Sequence, residues 1–217
     1  ISYGFTKFYN LGEKEVFPET IQELIDKEKV AYLANKLDGT NITSRNFNGT
    51  LITNTTGTLS KMPIIYKGEE YPNHIIEAEK NFNENTLNMI NENPDIAFIF
   101  ELIGVQQIIV EYTEKDFGLH LIGARKFLNA EGTESVMLSQ PEIKEIAEKY
   151  NVRSVDIQEI NSITSAIDLV NGEQFEGLEG AVIYVGHDIV KIKRDDYVLA
   201  HQLKMKHTLK TTSDLKQ

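Results

Sequence analysis

Residues 30–45, VAYLANKLDGTNITSR, hold the pattern on which the fold turns. An apolar run before Lys36 and a polar, β-branched run after Gly39 read as two strands joined by a tight turn. Gly39 permits that turn because it has no Cβ to obstruct it. A lysine at a strand end beside such a turn can face a pocket with its amine held in place. Lys-x-Asp-Gly arises by chance in roughly one chain in twenty of this length. Taken alone, the tetrapeptide is better explained by a solvated surface lysine, so its meaning depends on the rest of the chain.

Outward from this stretch, the pattern alternates strands and helices. Upstream, Pro18 opens ETIQELIDKEK, with Ile21, Leu24 and Ile25 at helical spacing. Downstream, NGT at 48–50 is a hairpin signal before LITNTT. One longer helix is expected over residues 73–91, with Ile75, Ile76, Ala78 and Phe82 as its apolar stripe and its end before Pro94. AFIFELIG, QIIVEY and LHLIGARKF are β-rich runs in close succession, and QPEIKEIAEKY and NSITSAIDLV are helices. GAVIYVG and DIVKIKR form a final hairpin, with a polar helix from Asp195. The class is α+β, mostly antiparallel strands with helices around them. With no repeat and no Pro/Gly/Ser linker, residues 1–217 are expected to form one domain.

The chain has 217 residues, 41% hydrophobic and 25% charged, enough for one sizeable core. No apolar run approaches the length of a membrane span and the first residues do not read as a secretory signal. With no cysteine there is neither a disulfide framework nor a thiolate metal site, and a cytoplasmic setting is expected. The net charge of -11 argues against a general nucleic-acid binder. Local positive charge is present late in the chain, at Lys191, Lys193, Arg194, Lys204, Lys206, His207 and Lys210. The last four read equally well as a solvated basic face. The five histidines show no metal-ligand spacing, and neither a P-loop nor a Gly-x-Ser-x-Gly pattern is present.

Further elements follow Lys36 in order. FELIG places Glu101 in a β-rich run, LHLIGAR puts Arg125 past another, and EGLEGAVIY places Glu179 and Gly180 before an apolar strand. VKIK sets Lys191 and Lys193 on one face of the next strand. Two lysines held side by side call for an anion, and a polyphosphate suits them. Singly, each residue has a plainer reading: edge-strand lysines discourage aggregation, and Glu101, Glu179 and Arg125 serve as rim or ion-paired groups. As an ordered set, KLDG, FELIG, LHLIGAR, LEGAVIY and VKIK resemble motifs I, III, IIIa, IV and V of the covalent nucleotidyltransferase superfamily. KFYNLGE upstream and VKIKRDDYVLAH at the end are most similar to the phage-type, ATP-dependent RNA ligases of the RNA ligase 1 family.

This resemblance implies an antiparallel-sheet nucleotidyltransferase fold, an ATP-grasp-like ligase adenylation domain with surrounding helices. It implies further residues before Ile1 and a helical domain after motif V. Thr40 and Asn41 look more like the RNA ligase 2 branch, and Thr56 stands where a basic residue usually precedes the glycine here at Gly57. The implied chemistry is attack by Lys36 on the α-phosphate of ATP, leaving lysyl-AMP and pyrophosphate. AMP then passes to an RNA 5′-phosphate, and a 3′-hydroxyl displaces it to seal the strand. Lys191 is expected at the α-phosphate or the departing pyrophosphate, and Lys193 at the AMP phosphate, the two together lowering the Lys36 pKa. Asp38, Glu101 and Glu179 are the expected ligands, through water, of magnesium or manganese, while Glu101 could instead hold the ribose and Asp38 orient the later steps. Gly39 belongs to the nucleotide site, with Asn41, Arg125 and Tyr197 as lesser candidates. Gly104 and Tyr112 are expected to serve strand packing. Two alternatives stay open: a DNA ligase or GTP-using capping enzyme, and a noncatalytic nucleotide or RNA-end binding module.

Overall fold

The computed structural model describes residues 4–66, 68–105 and 110–199. In chain order its elements are β1 (Tyr9–Asn10), α1 (Pro18–Glu28), β2 (Ala31–Asn35), β3 (Thr40–Phe47), β4 (Thr50–Thr55), β5 (Ile64–Tyr66), β6 (Glu69–Tyr71), α2 (His74–Lys80) and α3 (Glu84–Glu92). There follow β7 (Ile96–Ile103), β8 (Gly118–Phe127), β9 (Ser135–Met137), α4 (Gln140–Tyr150), β10 (Ile157–Ile160), α5 (Ile163–Asn171), β11 (Gly180–Val185) and β12 (Asp188–Lys193). The chain falls into two compact units.

One unit is built on a five-stranded sheet in the order β1-β12-β11-β2-β10. β11 runs antiparallel to both neighbours, and β1 runs parallel to β12. Its residues alternate as a half-buried strand should: Ala181, Ile183 and Val185 join Ala31, Leu33, Val190 and Ile192 in a core completed by Ile21 and Ile25 of α1 and Ala166 and Val170 of α5. The alternation sends Lys191 and Lys193 to the opposite face of β12. α1 begins with proline in its first turn and ends at Lys29, whose left-handed backbone directs its N–H to the Ile25 carbonyl.

The other unit holds the sheet β4-β3-β7-β8-β9 and the hairpin β5-β6. β7 is its central strand, so nearly every side chain is buried, and Glu101 is the polar exception. Phe98, Phe100 and Leu102 pack with Met89 and Ile90 of α3 and Ile143 and Ala147 of α4. The register of β7 with β8 shifts between Ile99 and Phe100, giving β8 an extra residue at Ile122.

The expected helix over residues 73–91 is two helices. Asn81 closes α2, and the Asn83 side chain accepts the Thr86 N–H to start α3. An asparagine that bonds nearby backbone groups competes with helix continuation. QIIVEY lies partly outside the described residues, and its remainder, Val110 to Tyr112, is not strand. Of the polar helix expected from Asp195, residues 195–199 are helical and the rest lies outside the described residues, as do Lys204, Lys206, His207 and Lys210. No helix among the described residues is long and apolar enough to cross a membrane.

Candidate active site

Lys36 leaves β2 with its backbone N–H still bonded to the Gly180 carbonyl, 2.9 Å away, so the strand ladder holds it in place. Its Nζ donates to Glu179 Oε2 at 2.6 Å, while Lys193 Nζ lies 2.9 Å from Glu179 Oε1. Each carboxylate oxygen thus faces one ammonium. Glu179 is 3% exposed, whereas the side chains of Lys36 and Lys193 are 22% and 33% exposed, so the carboxylate is buried and the amines keep an open side.

Gly180 makes this placement possible. Its φ is +143°, and a Cβ there would overlap the Ile192 carbonyl oxygen of β12. Only glycine lets the chain pass so close, and the Arg194 N–H closes the approach by donating to the Glu179 carbonyl at 3.1 Å. Arg194 fixes the end of β12 by donating to the carbonyls of Val170 and Gly172 and pairing with Asp196. Tyr197, nearly buried, lies under Lys193 Nζ with its ring centroid 5.3 Å away.

Lys191 pairs with Val182 of β11 and with Asn10 of β1. Burial, then the positive charges of Lys36 and Lys193, hold its pKa below the ordinary lysine value, against the weaker pull of Glu13 and Glu179. The result is three lysines gathered about one buried carboxylate, an arrangement suited to an anion. Sequence reading missed Asn10 and Glu13. Glu13 accepts from the Asn10 backbone and side chain, which lowers its pKa, with Lys191 and Lys193 adding to the effect. The signal available was the Asn-x-x-Glu spacing inside KFYNLGE.

Asp38 belongs to the same unit, is buried, and accepts the Val110 N–H at 3.3 Å. Glu101, Gly39, Asn41 and Arg125 belong to the other unit. There the Gly39 N–H donates to Glu101 Oε1 at 3.1 Å, and a Cβ on Gly39 would overlap the Leu102 carbonyl. Asn41 stands across from Glu101 in the pairing of β3 with β7. Arg125 lies within β8 rather than past it, donating to the Gly4 carbonyl, Ser135 and Thr6. Gly104 packs under Phe117 at a φ of +98°. Among the described residues no cluster of three or more His, Asp or Glu side chains could hold a metal ion.

Over residues 1–208 the chain matches a family model described as RNA ligase. No curated protein matches it in sequence. Similar solved structures include an archaeal ATP-dependent RNA ligase, with TM-score 0.63 and 17% identity, covering 89% of this chain and 49% of that one. A protein from Aquifex aeolicus assigned as an ATP-dependent DNA ligase gives TM-score 0.60 and 19% identity over 90% of this chain and 50% of its own. A Naegleria gruberi RNA ligase variant with ATP and Mn gives TM-score 0.60 and 14% identity over 92% and 58%. The chain spans about half to three-fifths of the length of these proteins. At such identities the likeness is one of fold, the α+β fold of ligase nucleotidyltransferase domains. The family match takes in nearly the whole sequence, and the chain belongs to the RNA ligase family.

Proposed function

We propose that this chain is the nucleotidyltransferase part of an ATP-dependent RNA ligase, with Lys36 as the residue that becomes joined to AMP. The observation that carries this reading is the contact of Lys36 Nζ with the buried Glu179 carboxylate, 2.6 Å away, in company with Lys191 and Lys193. Attack requires the free amine, and Glu179 Oε2 is an acceptor within hydrogen-bond reach for the departing proton. The Nζ to phosphorus bond forms as the bond from the α-phosphorus to the pyrophosphate oxygen breaks. Lys191 and Lys193 stabilise the charge that gathers on the transferring phosphate and on the leaving pyrophosphate. The AMP then moves to an RNA 5′-phosphate, and an RNA 3′-hydroxyl displaces it.

The donor set fits a hydrated magnesium or manganese ion that arrives with the ATP phosphates better than an ion caged by protein, since such ions keep several waters and need only one or two carboxylates. Asp38 and Glu179 are the carboxylates of this unit that would reach it through water, and when bound it would supply positive charge to the phosphates. Glu101, Gly39 and Asn41 carry the expected nucleotide role, supported by the Gly39 N–H bond to Glu101 and by the cross-strand position of Asn41. A cytoplasmic setting, where ATP and RNA ends meet, accords with this reading. Incubation with ATP labelled at the α-phosphate, and separately with GTP so labelled, tests it. Covalent label from ATP that chases into 5′-phosphorylated RNA is the expected result. Label retained from GTP alone rejects the assignment.

A further inference from the structure

At the end of β3 remote from Gly39, Arg45 is only 8% exposed. Its Nε donates to the Pro94 carbonyl at 3.0 Å. Its guanidinium carbon lies 3.9 Å from the ring centroid of Phe127 and 5.3 Å from that of Phe47. The terminal nitrogens have no hydrogen-bond acceptor among the described residues, and they keep their access to solvent through the cavity that the residue lines. A cavity of about 390 Å³ opens here, lined by Arg45, Phe47, Asn48, Asp95, Phe127 and Leu128 among others. Phe47 is 37% and Leu128 59% exposed, and with Asn48 and Asn129 they give the mouth both apolar and polar groups. Burial also holds the Arg45 pKa below its ordinary value, with Asp95 opposing.

These donors line an open cavity where water answers them, so a ligand that presents acceptors to the fork would take the place of that water. The ligand must present two adjacent acceptors to a planar fork, offer a flat face to an exposed phenylalanine, and tolerate Asp95 in the same cavity. Asp95, whose Oδ2 lies 3.6 Å from Lys126 Nζ, leaves the cavity with charge of both signs and so favours an uncharged ligand with acceptors over a phosphate. A guanine base meets all three requirements through O6 and N7, the edge that arginine binds in bidentate fashion. The cavity volume lies within the range of small-molecule sites.

We infer that this cavity holds a guanine base of a single-stranded RNA. The inference rests on the RNA ligase reading for its choice of strand. It also suits a chain of net charge -11, for which contacts to bases must supplement weak attraction for phosphates. Fluorescence anisotropy with the full chain and a labelled five-nucleotide RNA carrying one central guanine tests it, against the same strand made abasic at that position. The guanine strand should bind about tenfold more tightly. Phe47→Ala, at an exposed position beside the turn, should remove the difference, as should Arg45→Lys, which keeps the charge but loses the fork. Covalent AMP attachment should be unchanged in both. Equal affinity for the two strands in the parent, or a preference that persists in a folded Phe47→Ala chain, overturns the inference, as would affinity that follows phosphate number alone. A guanine preference in a chain that never takes up AMP would keep the pocket and reject the ligase reading. AMP uptake without the preference would do the reverse.

Discussion

Glu179 is the hinge of the candidate site at the residue scale, because one buried carboxylate answers both Lys36 and Lys193. Glu179→Gln keeps the shape and removes the charge, leaving two ammonium groups with a weaker acceptor. We expect a stability loss of about 1–3 kcal/mol in urea unfolding, moderated by the partial exposure of both lysines, and a larger than tenfold fall in the rate of AMP attachment. A rate close to the parent's would remove Glu179 from the mechanism. Lys191 should behave differently, since burial and like charges disfavour its ammonium form. Lys191→Met should depress AMP attachment strongly while leaving stability at neutral pH equal to or above the parent's. Between its lowered pKa and the ordinary 10.5, the unfolded chain holds more protons at this site than the folded chain. Parent stability therefore rises with pH through that window, and the advantage of the methionine variant is full below it and fades above. Unfolding curves at stepped pH check the sign, and an advantage that grows with pH contradicts it.

At the scale of elements, caps and alternation decide more than propensity. Asn83→Ala removes the acceptor for the Thr86 N–H and should cost about 1 kcal/mol, read as a lowered unfolding midpoint with an unchanged urea slope. An unaltered midpoint would show that the break before α3 has another cause. What was legible in the sequence follows the same logic. β11 announces itself as a continuous apolar run, Ala181 to Val185, and β12 because Val190 and Ile192 alternate with Lys191 and Lys193. The turn after Lys36 was legible from Gly39. The break between α2 and α3 was less so, because Asn81 and Asn83 interrupt an apolar stripe that otherwise keeps helical spacing. β1 and β9 are too short to show a period, and β10 offers only IQEI. Asn10 and Glu13 lie far from Lys191 in sequence, and only the pairing of β1 with β12 brings them near it.

For the whole molecule, the net charge of -11 and the three gathered lysines describe different things. A net charge of -11 gives little general attraction for polyanions, so positive potential has to be local, and β12 and the end of β2 gather it around Glu179. Motif order made those residues readable as a set, whereas the division into two units left no mark in composition. On the proposed reading the amine of Lys36, and no other, takes up a nucleotide. Intact mass of the chain after exposure to ATP and magnesium, followed by peptide mapping, tests this most directly. One added AMP mapped to Lys36 and lost in Lys36→Ala is the predicted result. An unmodified chain, or an adduct on another residue, would contradict it.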